Sequence, residues 1–288
     1  MPSPLEPWAD DVFLKREDVH ELGAFKWRGA LRTLELWRRD VVTASTGNHG
    51  AATAWAAKRL GLRATIFLPQ QASATKLSLL EELGADVRQV GADFDEAKAA
   101  AHAFAQERDL RFFEDGAEES QLDGYSEIGR EIVEQLERLP AAVIVPVGNG
   151  ALFAGVARGL GTGVRRVGVA AEQAPVMHES WHAGRVVKSD RCDTIADGLA
   201  VRVAIPRAVE WLREAADEFF LVSEDALRQG VTRLWERGIR AEPAAAAALA
   251  ALPLVPERPV VLIITGRNID DDLLAECVQT TSGSSSAG

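Results

Sequence analysis

The chain has 288 residues, of which 47% are apolar and 26% charged, and its formal net charge is −11. This composition is typical of a folded globular protein that is long enough to bury a large core. The acidic balance argues against broad binding to nucleic acid or to an anionic membrane, and we expect neither as a partner.

Targeting and redox signals are sparse. No apolar run approaches the roughly 20 residues that a membrane span needs. The acidic start of the chain lacks the basic region and apolar core of a signal peptide. Cys192 and Cys277 are far apart and form no CxxC pair, which argues against a disulfide scaffold or a thiolate metal cluster. We therefore expect a cytoplasmic protein.

Short apolar strands alternate with longer helical patterns along the chain. The patterns predict strands at 40–45, 64–69, 85–91, 111–114, 141–148, 165–172 and 258–266, and helices at 51–61, 74–84, 94–109, 126–139, 151–161 and 244–251. This alternation predicts an α/β protein with mostly parallel sheets. Ligands of such sheets bind at the carboxyl ends of strands, so the loops that follow strands are the informative ones.

Three of these loops mix glycine with polar residues. PVGNGAL, residues 146–152, precedes a helix whose N-terminal N–H groups could hold a phosphate, although a tight turn is an alternative. TASTGNHG, residues 43–50, offers hydroxyls, an amide and an imidazole, and a capped helix start explains one such residue more easily than four. ITGRN, residues 264–268, offers the Thr265 hydroxyl, and a turn explains it equally well.

Lys26 lies in GAFKWRGA, residues 23–30, among small and aromatic residues. A lysine amine forms a Schiff base with pyridoxal phosphate, which stabilises a carbanion at the Cα of an amino acid. That cofactor needs a lysine, a phosphate cradle and contacts to its ring oxygen and ring nitrogen. The chain contains a candidate for each of these groups.

Six motifs together resemble the fold-type II pyridoxal-phosphate enzymes of the tryptophan synthase beta-like superfamily, and especially the threonine/serine dehydratase and serine racemase group. The motifs cover 15–30, 43–50, 145–152, 194–201, 242–252 and 265–268, in the family's order. The resemblance runs from about residue 12 to residue 268. It implies pyridoxal 5′-phosphate as the cofactor and an amino acid as the substrate.

The resemblance also implies the domain organisation. We expect two three-layer α/β domains with mostly parallel sheets and the cofactor between them. The large domain comprises residues 1–41 and 119–275, the small mobile domain comprises 42–118, and 276–288 form a flexible tail. Because dimers are common in the family, we expect a homodimer.

Site residues follow from the matched motifs. By resemblance, Lys26 is the Schiff-base lysine and the base that removes the Cα proton. The cofactor is further contacted by Phe25, by Asn48 at its 3′ oxygen, by Thr265 at its ring nitrogen, and by a phosphate loop of Gly148, Asn149, Gly150, Ala151 and Leu152. The substrate is held by Ser45, Thr46, Gly47 and His49, largely through backbone N–H groups at its carboxylate, and its pocket is lined by Tyr125 and Ser126.

The contact at the ring nitrogen bears on the reaction. A neutral hydroxyl such as that of Thr265 does not hold the ring nitrogen protonated, so the ring is a weaker electron sink and β-elimination is favoured over transamination. We therefore expect an ammonia-lyase that converts a hydroxy amino acid, such as L-threonine or L-serine, to a 2-oxo acid and ammonia. Thr46 stands where related racemases carry a serine, so it is also a catalytic candidate.

The sequence departs from the family in two places. The phosphate loop reads GNGA instead of four glycines, and GYSEIG at 124–129 replaces the usual GQGTIG. Positions where some relatives bind a divalent cation are Ala170, Ala174 and Val176, so we expect no metal there.

Several alternatives stay open. The same cofactor also supports racemisation and β-replacement. In a different class, the chain could be a non-catalytic relative of these enzymes that binds a ligand or a partner protein. The HExxH motif from His178 to His182 suggests a zinc hydrolase, but a third ligand is needed. A nucleotide-binding dehydrogenase is disfavoured because no GxGxxG follows a strand.

Overall fold

The computed structural model describes residues 2–189 and 192–282. The chain forms two compact units, the first from Met1–Phe25 and Tyr125–Gly288 and the second from Lys26–Gly124. The predicted limits of the small domain, residues 42–118, lie inside the second unit. Of the predicted tail, residues 276–282 belong to a helix, and 283–288 lie outside the described residues.

The first unit is built on a six-stranded sheet with the strand order β1-β2-β10-β7-β8-β9. Its strands are β1 (Leu5–Ala9), β2 (Val12–Arg16), β7 (Ala142–Pro146), β8 (Arg165–Ala171), β9 (Glu218–Val222) and β10 (Val260–Ile264). β1 runs antiparallel to β2, and every other pair is parallel. β7 and β10 are buried throughout, as expected of parallel strands that are covered on both faces.

Helices flank this sheet. They are α6 (Ala151–Leu160), α7 (Val176–Ala183), α8 (Pro206–Ala215), α9 (Glu224–Trp235), α10 (Pro243–Ala250) and α11 (Asp271–Ser282), together with most of α5 (Glu119–Leu136). The alanine-rich α10 is buried almost completely, because its small side chains let it pack into the core. None of the helices in the described ranges is both long and apolar enough to cross a bilayer.

The second unit contains a four-stranded, fully parallel sheet with the order β5-β4-β3-β6. Its elements are α1 (Trp27–Trp37), β3 (Val41–Ala44), α2 (Asn48–Leu60), β4 (Ala64–Leu68), α3 (Ala74–Glu82), β5 (Asp86–Gln89), α4 (Phe94–Glu107) and β6 (Arg111–Phe112). The central strands β3 and β4 are buried at every position. β3 and β6 run parallel and begin side by side, at Val41 and Arg111, so the segments that follow them leave at the same edge of the sheet.

The predicted α/β class with mostly parallel sheets is confirmed, but three strands escaped prediction: β1, β2 and β9. β2 is short and contains Lys15 and Arg16, so it lacks the apolar run or the alternation by which a strand is predicted. In the structure Lys15 is fully buried, and its ammonium lies 2.6 Å from Glu131 Oε2 and 2.9 Å from Gln135 Oε1. The ion pair with Glu131, which lies far from Lys15 in the sequence, therefore offsets the cost of burying the lysine charge.

Two glycines let α5 and α6 pack backbone against backbone. A Cβ at Gly129 would collide with the carbonyl oxygen of Val156, and a Cβ at Gly159 with that of Ser126. Neither atom is the far end of a flexible side chain, so the helices would have to separate. Contact this close needs glycine on both helices.

We expect Gly159→Ala to lower the free energy of unfolding by about 3 kcal/mol, because overpacking of a rigid contact costs about 1–3 kcal/mol and here the obstacle is backbone. Urea denaturation of the two proteins measures the difference. Arg158→Ala, an exposed change on the same helix, is the control and should stay within about 0.5 kcal/mol of the wild type. Equal stabilities of the Gly159 variant and the wild type would contradict this packing.

Candidate active site

Lys26 immediately precedes the first turn of α1 in the second unit. It occupies the N-cap position, and no side chain caps that end of the helix. Preferred N-cap residues carry an oxygen that accepts a hydrogen bond from a free N–H group, which a lysine ammonium cannot do. Helix formation therefore does not explain a lysine at this position.

The Lys26 ammonium makes a two-pronged ion pair with Asp115. Its Nζ lies 2.7 Å from Oδ2 and 2.8 Å from Oδ1 of that carboxylate. The two side chains are 15% and 33% exposed, so this pair is partly withdrawn from water. Asp115 lies three residues past β6, on a loop whose Gly116 N–H donates to the buried Gln121 Oε1 at 3.0 Å.

The loop between β3 and α2 holds the predicted substrate contacts. Ser45, Thr46 and Asn48 are half-buried and Gly47 is exposed. Gly47 is the N-cap of α2 and no side chain caps the helix there, so N–H groups of the first turn point toward the loop. A Cβ at Gly50 would lie 2.7 Å from the Ser45 carbonyl oxygen, so this position requires glycine. A helix N-terminus of this kind suits a carboxylate.

His49 lies on the first turn of α2 and is 4% exposed. Its Nε2 lies 3.2 Å from the Phe113 carbonyl oxygen, and its Nδ1 lies 3.6 Å from Asp115 Oδ1. Burial lowers the pKa of His49 below its ordinary value; the Asp115 carboxylate opposes this shift, and the Lys26 ammonium adds to it. The imidazole is therefore neutral near pH 7.

The predicted phosphate loop lies in the first unit, between β7 and α6. Gly150 adopts a left-handed backbone with φ of +93°, and a Cβ at Gly148 would collide with the Gly198 carbonyl oxygen. Asn149 Oδ1 accepts a hydrogen bond of 3.1 Å from the Ala151 N–H. The loop thus requires glycine at 148 and 150, while Asn149 acts as a side-chain cap at the start of α6.

The other predicted residues of the first unit lie near the end of β10 and on α5. Thr265 is 3% exposed and directly follows β10, and its carbonyl oxygen accepts the Phe25 N–H at 3.1 Å. Tyr125 is buried and packs edge-on against Phe25, with ring centroids 5.0 Å apart. Ser126 is buried where α5 meets α6, and Leu152 is buried in α6.

The HExxH motif forms one turn of α7 in the first unit. His178 Nε2 and His182 Nε2 lie 3.1 Å apart. Among residues 2–189 and 192–282, no group of three histidine, cysteine or acidic side chains is arranged to hold a metal ion. The third ligand that a catalytic zinc needs is therefore not found in this part of the chain.

Asp115 is the residue that sequence reasoning missed. It lies 89 positions from Lys26, and the acidic pair Glu114-Asp115 reads as an ordinary surface turn. A signal was nevertheless present, because Asp115 directly follows the predicted strand at 111–114, and ligands of parallel sheets bind at the carboxyl ends of strands.

The groups present fit pyridoxal phosphate. A lysine amine is partly accessible in the second unit. The first unit supplies a glycine-bounded helix N-terminus for a phosphate and a buried hydroxyl at a strand end for a ring nitrogen. Groups of these kinds, carried by two units that are each α/β, are those that the pyridoxal-phosphate enzyme class requires.

Comparison with known proteins agrees with this class. The sequence model of the family described as pyridoxal-phosphate dependent enzyme matches residues 3–266. The L-threonine ammonia-lyase of Geobacter sulfurreducens is 33% identical over 283 residues, covering 93% of this chain and 70% of that protein. The L-threonine ammonia-lyase of Thermotoga maritima is 33% identical over 276 residues, covering 92% of this chain and 69% of that protein.

Among solved structures, the processed form of threonine deaminase isoform 2 from Solanum lycopersicum superposes with a TM-score of 0.91 at 30% identity, covering 97% of this chain and 88% of that one. The chain belongs to the family of pyridoxal-phosphate dependent enzymes, and pyridoxal phosphate is its cofactor. The resemblance drawn from the six motifs is confirmed.

The depressed pKa of His49 predicts a pH dependence of stability in the cofactor-free protein. The unfolded chain binds a proton at this residue near pH 6.5, whereas the folded chain does so only at lower pH. The stability that depends on a neutral His49 is thus fully present above about pH 6.5. Below that pH the free energy of unfolding falls, by at most about 1.4 kcal/mol per pH unit. Denaturant unfolding between pH 5 and 8 measures it.

His49→Gln should show a shallower loss of stability below about pH 6.5 than the wild type. His102→Gln, which changes a half-exposed histidine of the same unit, is the control for replacement of a histidine as such. Parallel profiles for the wild type and both variants would contradict a neutral, buried His49.

Proposed function

We propose that this chain is a pyridoxal-phosphate-dependent ammonia-lyase that eliminates water from L-threonine or L-serine and then, with uptake of a water molecule, releases ammonia and leaves a 2-oxo acid. The observation that carries this proposal is the 33% identity to L-threonine ammonia-lyases over more than nine-tenths of the chain. The family model matches residues 3–266, a span that covers the positions of Lys26 and of the glycine loops.

Bound pyridoxal phosphate supplies an electron sink for the charge that develops at the substrate Cα. Lys26 is the residue that bonds to it covalently, and Asn48 hydrogen-bonds its 3′ oxygen. The loop of Gly148, Asn149, Gly150, Ala151 and Leu152 holds its phosphate through the positive end of the α6 dipole and through its N–H groups other than that of Ala151, which donates to Asn149 Oδ1. Phe25 lies next to Lys26 in the chain and packs along the cofactor.

Substrate binding rests on the start of α2. Ser45, Thr46, Gly47 and His49 hold the substrate carboxylate, chiefly through backbone N–H groups, which the uncapped first turn supports. Tyr125 and Ser126 shape the pocket from α5, where both are buried. Once the substrate is bound, the Lys26 amine takes the Cα proton as a general base.

Loss of the β-hydroxyl is favoured by the residue near the ring nitrogen. Thr265 is a neutral hydroxyl that is buried at the end of β10. It neither carries a negative charge nor holds a proton on the ring nitrogen, so a long-lived carbanion is disfavoured and departure of the hydroxyl competes well with transamination.

Lys26→Ala should abolish release of 2-oxo acid from L-threonine and L-serine, because it removes both the covalent attachment and the base. A coupled assay of 2-oxo acid with purified protein and added cofactor measures the effect. Lys98→Ala is the matched control: this lysine also pairs with a carboxylate, that of Glu114 at 2.7 Å, and its loss should leave turnover unchanged. Turnover by the Lys26 variant at the wild-type rate would overturn the assignment.

The same reactions discriminate the alternatives on this cofactor. Chiral chromatography of the remaining serine detects racemisation, in which the Thr46 hydroxyl would return a proton to Cα from the opposite face. Addition of a sulfide nucleophile detects β-replacement. We expect 2-oxo acid to be the main product, and a predominance of D-serine or of a replacement product would assign the enzyme to the corresponding class instead.

We further propose that the enzyme acts in the cytoplasm as a homodimer. The common assembly of the family supports the homodimer, and two cysteines that form no CxxC pair are typical of proteins of a reducing compartment. Light scattering should give about twice the chain mass of 31.1 kDa, and a mass of one chain would contradict it. Fractionation of cells that produce the protein should recover it with cytoplasmic markers.

A further inference from the structure

Asp115 lies between two nitrogen groups of the second unit. Oδ1 of its carboxylate is 2.8 Å from Lys26 Nζ and 3.6 Å from His49 Nδ1. The other carboxylate oxygen, Oδ2, lies 2.7 Å from the same Nζ. The carboxylate is thus engaged by the lysine through both oxygens, and by the histidine at a longer distance through one of them.

The Phe113 carbonyl oxygen decides which His49 nitrogen carries the proton. A carbonyl oxygen can only accept, so Nε2, 3.2 Å away, is the protonated nitrogen. The same oxygen accepts the Thr43 hydroxyl at 2.8 Å, which fixes its position. In the neutral imidazole, Nδ1 therefore presents a lone pair to Asp115.

The separation of 3.6 Å between Nδ1 and Oδ1 is what two acceptors facing each other should show. A lone pair and a carboxylate oxygen do not form a hydrogen bond until a proton lies between them. With a proton on Nδ1 the contact becomes a charge-assisted hydrogen bond of about 2.8 Å. Protonation of Nδ1 is thus the change that would let His49 form a hydrogen bond with Asp115.

Bonding of Lys26 to the cofactor changes the donors that Asp115 can use. Nζ condenses with the aldehyde of pyridoxal phosphate and water leaves, after which the nitrogen carries one hydrogen at most. The two-pronged pair with Asp115 needs two N–H donors on that nitrogen. At least one carboxylate oxygen must therefore give up its lysine hydrogen bond, and His49 Nδ1, 3.6 Å from Oδ1, is a nitrogen that can take that place once it carries a proton.

We propose that Asp115 exchanges its cation when Lys26 takes the cofactor: His49 binds a proton from solvent on Nδ1, and the imidazolium replaces the Lys26 ammonium at Oδ1. This inference rests on the proposed role of Lys26. When Lys26 leaves the cofactor to accept the Cα proton and becomes an ammonium again, His49 returns its proton to solvent. His49 and Asp115 are thus positioning residues that act through Lys26.

The charges around His49 agree with this exchange. Burial depresses its pKa, Asp115 raises it, the Lys26 ammonium lowers it, and Glu114 raises it. Glu114 is itself paired with Lys98 at 2.7 Å, so its influence is the same in both states. Conversion of the ammonium to a nitrogen that shares its charge with the cofactor weakens one influence that lowers the pKa of His49, while the raising influence of Asp115 remains.

The test is a pH titration of the wild-type protein by NMR, with ¹⁵N-labelled histidine, before and after loading with pyridoxal phosphate. His49→Gln identifies the His49 signals among the five histidines. In the cofactor-free protein we expect a neutral ring with the proton on Nε2. After loading, the midpoint of the His49 titration should rise by about one pH unit or more. An unchanged or lower midpoint in loaded protein overturns the proposal.

Loading itself is followed by the visible absorption of lysine-bound cofactor. If that absorption forms and the His49 midpoint does not move, the exchange fails while the role of Lys26 survives. If the absorption never forms, the assignment of Lys26 and the exchange both fail.

Two variants separate the exchange from a general effect of charge. In loaded Asp115→Asn the His49 midpoint should not rise, because the carboxylate that would receive the imidazolium is gone. In loaded Glu114→Gln, which removes the neighbouring carboxylate, the rise should persist. A rise that is lost in the Glu114 variant, or kept in the Asp115 variant, contradicts partner exchange at Asp115.

Discussion

The Asp115 carboxylate, which contacts the Lys26 ammonium and lies 3.6 Å from the His49 ring, is the group on which the chemistry proposed for the second unit depends. A partly buried carboxylate and a partly buried ammonium are each costly without a partner, so the two fix each other's position. The elements that carry them are fixed in turn. β6 pairs with β3, the Phe113 N–H extends that pairing to the Val42 carbonyl oxygen at 2.7 Å, and the buried Gln121 pins the loop that follows.

The same contact links the start of α2 to the end of β6. His49 packs edge-on against Phe113, with ring centroids 4.6 Å apart, while its two ring nitrogens face the Phe113 carbonyl oxygen and Asp115. The loop proposed to hold the substrate carboxylate lies directly before this residue. A change of charge at Lys26 is therefore felt within one turn of the proposed carboxylate site, well inside the range where electrostatic interactions in proteins remain strong.

Local patterns were sufficient to predict the α/β order and the glycine loops. Positive φ at Gly150 and close backbone approach at Gly148 are requirements of the chain itself, so glycine marks them in the sequence. Asn149, which departs from the family's glycine run, is accommodated because its side chain caps the Ala151 N–H. Resemblance then supplied roles for these residues that spacing alone left open.

Features that depend on distant partners were not predictable. Lys15 reads as a surface lysine until Glu131, 116 positions away, is placed beside it, and so the strand β2 was missed. Asp115 reads as part of a turn until Lys26 lies 2.7 Å from it. A short β6 of two residues gave little pattern to indicate which strand it would join. In each case tertiary contacts, which local propensity does not contain, decide the outcome.

The most direct test of the account is to locate the covalent attachment of the cofactor. Purified protein loaded with pyridoxal phosphate is reduced with borohydride, digested and examined by peptide mass spectrometry. Lys26 is one of six lysines in the chain, and the account predicts that the reduced cofactor is found on its peptide alone. Attachment at another lysine, or no attachment in protein that turns over threonine, would contradict the central role given to Lys26.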